Sequence, residues 1–249
     1  MANSFEFGLR LVAGNPNLTF IFFMGLSLLT VISSRFGFYA YRNMQSSDLP
    51  AQRAIWEYLV FVGGFATLYG VLGLLEIVSS FVAPQIQALM VGFVLVLTLS
   101  FRQIHHTVSM TGTEVTDGRE TGLVPGRKAV EGGFVLVVLV LLVGMTVAGQ
   151  HPLLVALEGV TTIAVAAYGL RFGTYQTSQA RVKGTMIDTL LRHLLPVLVF
   201  GALIPIIDLA TLGGLDRAVV LHVRVVFVIV TATALMTATI KLKQNLASL

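Results

Sequence analysis

The chain has 249 residues, 55% of them hydrophobic and only 11% charged, with a mean hydropathy of +0.86. A soluble domain carries about 25% charged residues, so this composition excludes an ordinary water-soluble fold and places most of the polypeptide in lipid. The absence of cysteine excludes disulfides, thiolate metal sites, iron–sulfur clusters and cysteine nucleophiles, and the net charge of +4 is spread over short flanks between apolar runs rather than gathered into a nucleic-acid-binding patch, so no nucleic-acid partner is expected.

Residues 1–17 mix polar and apolar side chains, without the apolar run of a cleavable signal peptide. A helix needs about 20 residues to cross a ~30 Å hydrocarbon core. Seven segments reach that length, at approximately 18–41, 54–82, 86–109, 129–149, 152–172, 185–211 and 218–241. Turn residues mark the breaks: Asp48 and Pro50 after the first segment, Pro84 after the second, Gly149 and Pro152 between the fourth and fifth, and Gly213 and Gly214 after the sixth. Pro50 and Pro152 stand where a missing backbone N–H costs a helix little.

Charge orients the bundle. Arg35, Arg42 and Arg53 flank the first connection. Arg102, Arg119, Arg127 and Lys128 flank the third, Arg171, Arg181 and Lys183 the fifth, and Lys241 and Lys243 lie in the tail. The second and fourth connections have no Lys or Arg, the sixth has Arg217, and the leading segment has Arg10. Basic flanks stay cytoplasmic, so the expectation is a cell-membrane, multi-pass, all-α bundle of seven transmembrane helices in a single domain over 1–249, N-terminus outside and C-terminus cytoplasmic. The lipid bilayer is its first partner. The longest inner connection, 110–128, is polar and glycine-punctuated, with Thr111, Glu114, Asp117 and Arg119; as the place for a cytoplasmic or membrane protein partner it competes with a plain solvated connector.

Arg35, Phe36 and Gly37 at the end of the first segment echo Arg171, Phe172 and Gly173 at the end of the fifth, and Glu76 and Asp208 occupy comparable places one segment later. This pattern suggests a 3+1+3 parallel repeat, as found in some transporters.

An ionisable group in mid-membrane costs about 2.5–3.5 kcal/mol on insertion scales and needs a partner or a purpose. At ~1.5 Å per residue, Glu76 and Glu158 lie roughly 9–12 Å below the outer surface. Asp208 is nearer that surface, and His222 and Arg224 stand one to two turns into the last segment. These five form a candidate intramembrane charge cluster, either an access path for protons or ions or a clasp that fixes packing. Arg35, Glu57, Arg102, Arg171, Asp188 and Arg192 form a second, inner group, close enough to the boundary to reach water. Pro196, Gly201 and Pro205 make the sixth segment a candidate hinge. Thr231, Thr233, Thr237 and Thr239 are expected to bond back to their own helix. A bis-histidine haem needs two imidazoles at one depth, and His105, His106, His151, His193 and His222 pair poorly, so neither haem nor another cofactor or metal is expected. No nucleophile elbow, phosphate-binding loop or HExxH motif is present, so an enzyme is not expected.

The plan resembles the microbial rhodopsins in length, helix number and short outer turns. The passage from Phe23 through Ser46, Asp48, Pro50 and Arg53 to Tyr69 and Leu72 is similar to that family's first two helices, and Arg192 with Pro205 to its sixth. The resemblance implies shape and topology alone. No lysine lies between Phe227 and Thr239 to form a covalent retinal Schiff base, and Gln87 to Phe101 lacks the family's third-helix arginine, aspartate and tryptophan. Three functions therefore stand open: a non-enzymatic sensory or regulatory seven-helix module taking a signal or small apolar ligand, a small proton- or ion-coupled transporter or channel, and a membrane subunit of a larger redox or assembly complex.

Overall fold

Asn15 opens the first long helix as its N-cap, accepting hydrogen bonds from the backbone N–H groups of Asn17 (3.0 Å) and Leu18 (3.2 Å), with Pro16 in the first turn. The computed structural model describes residues 8–47, 50–83, 85–110, 125–149, 151–178 and 186–247. Among these residues seven long helices follow one another: α1 (Pro16–Gln45), α2 (Pro50–Val78), α3 (Ile86–Met110), α4 (Pro125–Ala148), α5 (Pro152–Ser178), α6 (Met186–Ile206) and α8 (Arg217–Ala247), with a four-residue α7 (Leu209–Leu212) between the last two. No strand occurs among the described residues. Helices suit lipid because each satisfies its own backbone hydrogen bonds.

Among the described residues, six helical stretches are long and apolar enough to cross a membrane: Pro16–Gln45, Gln52–Val78, Ile86–Ile104, Pro152–Tyr175, Asp188–Leu212 and Arg217–Ala247. In α4 the described apolar part, Gly132–Ala148, is shorter. The protein is a multi-pass helical membrane protein. Its outward faces carry apolar side chains such as Phe20, Val31, Phe61, Leu139 and Val226, as a lipid solvent requires.

Consecutive helices pack side by side, α1 closes the ring against α8, and α3 leans inward onto α5 and α6. α4 touches α3 and α5 at the edge. The helices pack through small residues and short polar contacts. A Cβ on Gly63 of α2 would lie 2.6 Å from Gly37 Cα of α1, and the hydroxyls of Ser33 and Thr67 meet at 2.9 Å across the same seam. Thr98 of α3 donates to the Val165 carbonyl of α5 (3.2 Å). Asn43 of α1 donates to the Leu242 carbonyl of α8 (3.2 Å) and accepts from Asn245 Nδ2 (2.6 Å). Gly63→Ala is therefore expected to force α1 and α2 apart and cost about 1–3 kcal/mol. Gly64→Ala, where a Cβ meets nothing within 4 Å, is expected to gain roughly 0.5–1 kcal/mol from helix propensity. Thermal unfolding of the two variants in detergent checks the pair.

The helices match the expected segments to within a few residues at most ends, with one informative difference. The sixth segment was expected to run to 211, but α6 stops at Ile206. Pro205 lacks the N–H that would bond to the Gly201 carbonyl four residues back, and its ring crowds that carbonyl. The chain then tightens: Asp208 N–H bonds to the Pro205 carbonyl (3.3 Å) and Thr211 N–H to that of Asp208 (3.0 Å). Pro196, in contrast, leaves α6 continuous and sits on its outward face.

Candidate functional site

At the end of the bundle that carries the N-terminus, the turn after α6 brings Asp208 against α8. Arg224 Nη2 donates to Asp208 Oδ1, and both side chains are nearly buried. Glu158 of α5 is 1% exposed and Gln87 of α3 4% exposed. Glu158 Oε1, Gln87 Oε1 and Arg224 Nε have no hydrogen-bond partner in the protein. All three residues line one cavity of about 290 Å³, with Asp208 and Thr211.

A second cavity of about 660 Å³ adjoins it, sharing Gln87, Arg217, Leu221 and Arg224. Its walls are chemically divided. Phe22, Leu26, Ile86 and Leu221 are apolar, while Arg10, Arg217, Arg224, Glu76 and Tyr69 are polar. Small-molecule sites commonly have volumes of about 300–1,000 Å³ and combine apolar walls with a few placed polar groups.

The N-terminal segment forms part of this wall. Gly8 N–H bonds to the Val78 carbonyl (3.2 Å) and Arg10 N–H to the Ile77 carbonyl (2.8 Å), fastening residues 8–10 alongside the end of α2. Glu76 Oε1 accepts from Ala83 N–H (2.7 Å), so this carboxylate holds the turn between α2 and α3 while its side chain borders the cavity. His151 caps α5, its Nδ1 accepting from Leu153 N–H (3.3 Å).

Of the five residues of the expected cluster, the structure brings Glu158, Asp208 and Arg224 together around the smaller cavity and sets Glu76 on the larger one. His222 does not join them. Its ring is exposed, with Nδ1 2.6 Å from the Ala218 carbonyl, and it lines neither cavity. At i+4 on a helix a side chain stacks over its own preceding turn, and the 100° step per residue sends His222 and Arg224 to opposite sides.

Gln87 and Tyr69 are site residues that sequence reasoning did not single out, and Arg10 and Arg217 entered it only as orientation signals. The hinge residues divide similarly. Gly201 packs against Phe93, whose Cε1 would lie 2.6 Å from a Cβ there, and Pro205 precedes the break. At the opposite end Asp188 and Arg192 pair within α6 (2.9 Å), and Arg35, Glu57 and Arg171 are exposed. Thr233, Thr237 and Thr239 bond back to carbonyls of α8, at 2.9, 2.7 and 2.8 Å, while Thr231 Oγ1 is buried with no hydrogen-bond partner in the protein. Of the 110–128 connection, residues 111–124 lie outside the described residues, as do the side chains of His105 and His106.

The fold and the site together define a class: a multi-pass helical membrane protein with a paired polar cavity at one end of its bundle. A scan against protein-family models, a search of curated proteins and a search of solved structures each returned no match.

Proposed function

We propose that the protein is a non-enzymatic sensory or regulatory module that crosses the membrane seven times, with its N-terminus outside and its C-terminus in the cytoplasm. A small ligand held in the outer cavities is read out through α6. One observation carries this reading: Gln87, Glu158 and Arg224, each with a buried polar atom that has no partner in the protein, line a cavity whose wall includes Asp208, the residue just beyond the break in α6. A buried polar group without a partner costs about 1–3 kcal/mol, and a ligand that supplies the missing bonds recovers that cost. A ligand that competes for Arg224 also loosens its hold on Asp208, and so on the end of α6. The inner connections, including 110–128, would pass the movement to a cytoplasmic or membrane protein.

The flanking basic residues support the orientation. The ring closed by α1 on α8 supports seven crossings and the shape-level resemblance to microbial rhodopsins. The edge position of α4, between α1–α3 and α5, α6 and α8, supports the 3+1+3 repeat. Transport through the same cluster is less well supported. Below the cavities Phe93, Leu97, Leu194, Leu198, Val228 and Leu235 are each 0% exposed, so a close-packed apolar layer separates the cluster from the other end.

The native chain has no cysteine, which makes paired spin labels straightforward to place. With labels at Leu212→Cys and Phe20→Cys in nanodiscs, Asp208→Asn is expected to shift or broaden the distance distribution. The reference pair Phe20→Cys and Val71→Cys is expected to stay fixed. An unchanged Leu212 distance would remove α6 as the reporting element.

A further inference from the structure

The larger cavity is walled mostly by side chains of α1, α2, α3 and α8. One stretch of its wall is different: Arg10, Leu11, Val12 and Ala13 line it ahead of the first long helix. A helix keeps its backbone hydrogen bonds within itself, whereas this segment is fastened by bonds to its neighbours. Gly8 N–H bonds to the Val78 carbonyl (3.2 Å) and Arg10 N–H to the Ile77 carbonyl (2.8 Å). Val12 N–H bonds to Thr19 Oγ1 (2.8 Å), which itself donates to the Asn15 carbonyl (2.7 Å).

Side-chain packing adds little to these bonds. Leu9 is 72% exposed and Leu11 42% exposed, and Val12 packs half-buried against the core. At the end nearest α1, Ala13 (φ 50°) and Gly14 (φ 69°) are both left-handed and bend the chain directly before the Asn15 cap. A Cβ on Gly14 would meet nothing within 4 Å, so this bend has room to turn beside a fixed helix end. A segment with so few bonds and buried contacts opens before the helices it lies on.

We propose that residues 8–14 are a strap that gates entry to the larger cavity. It swings about Ala13 and Gly14 when its bonds to Val78, Ile77 and Thr19 break, and the bundle stays folded. This inference rests on the sensory reading above and supplies its regulation: a ligand enters while the strap is open and is retained when it closes. The three bonds break in one opening, so each contributes to the same equilibrium.

The test is chemical access to the cavity. Ile86 lines it from α3 and is 7% exposed, and the native chain has no competing cysteine. Ile86→Cys in nanodiscs is treated with a small anionic methanethiosulfonate, and its rate of modification is expected to be slower than that of the exposed Leu215→Cys. Gly8→Pro removes the donor of the first bond, at a position where a Cβ meets nothing within 4 Å, while Gly8→Ala keeps it. Thr19→Val removes the acceptor for Val12 N–H, while Thr19→Ser keeps it. Placed in the Ile86→Cys chain, Gly8→Pro and Thr19→Val are each expected to speed modification roughly three- to tenfold, the loss of one net hydrogen bond. Their effects should multiply in the combined variant, and Gly8→Ala and Thr19→Ser should stay near the parent rate. Hydrogen exchange is expected to quicken over residues 8–14 and to remain at the parent level over α2, α3 and α8, which separates an open strap from an unfolded bundle.

The proposal is overturned if Ile86→Cys reacts as fast as Leu215→Cys in the parent chain, or if all four strap variants share the parent rate. Its failure is distinguishable from failure of the sensory reading. If Asp208→Asn moves the Leu212 label and modification ignores the strap variants, the strap is wrong and the reading stands. If modification follows the strap and the Leu212 distance stays fixed, the strap stands and the reading falls.

Discussion

Arg224→Met is expected to cost about 3–5 kcal/mol of stability, the penalty for leaving a buried carboxylate without its countercharge. Asp208 is the group left behind: the Arg224 guanidinium pairs with it, and both side chains are nearly buried. The second half of the expectation is sharper. Asp208→Leu combined with Arg224→Met removes both charges and is expected to recover more than half of the loss, because an apolar pair of similar volume has no desolvation penalty to offset. Unfolding in detergent of the two single variants and the double variant gives the coupling. Strict additivity would mean that the two side chains do not act as a pair. The same variants bear on function: if α6 is held by this contact, the double variant should fold well and still lose ligand-dependent movement of the α6 end.

Phe93→Ala should have an effect of similar size, about 3–5 kcal/mol, as expected for deleting a fully buried aromatic ring. Phe93 is 0% exposed and lies where α6 has only a glycine, Gly201. The glycine and the ring are complementary in size. Gly201→Leu alone is expected to overpack the seam and cost about 1–3 kcal/mol. Phe93→Ala with Gly201→Leu returns volume from the opposite helix, so the double variant should lose less than the two singles together, with a coupling of about 1–3 kcal/mol. If Phe93→Ala proves nearly neutral, the layer beneath the cavities is not close-packed and the argument against a conducting path through it weakens. Proteoliposome flux measured on this variant and on the parent chain reads that directly.

Much of the architecture was legible in the sequence because lipid makes the signals coarse. A span needs a long apolar run, and a turn between spans needs proline, glycine or charge. These constraints placed Pro50, Gly149 and Pro152 at or beside helix ends with no tertiary information. The association of Glu158, Asp208 and Arg224 was legible for a related reason. Buried charges are few in such a chain, and those at one depth have little else to pair with.

Other features depend on which way a side chain faces, and apolar runs carry little of that information. His222 and Arg224 are two residues apart, yet only one turns into the bundle. Gln87 looked unremarkable in an amide-tolerant first turn, and its importance comes from neighbours on α5 and α8. Pro196 and Pro205 carry the same sequence signal. Pro196 sits on an outward face within an unbroken helix, whereas Pro205 comes just before α6 ends. The docking of residues 8–10 on the end of α2 uses backbone groups alone, so side-chain patterns could not announce it.

The proposed orientation opens the paired cavity to the outside of the cell. Leu215→Cys, between α7 and α8 at the cavity end, and Ala247→Cys, at the end of α8, are both exposed sites. With a membrane-impermeant maleimide on intact cells, Leu215→Cys is expected to react at once and Ala247→Cys only after the membrane is permeabilised. Labelling of both cysteines from the same side would contradict it.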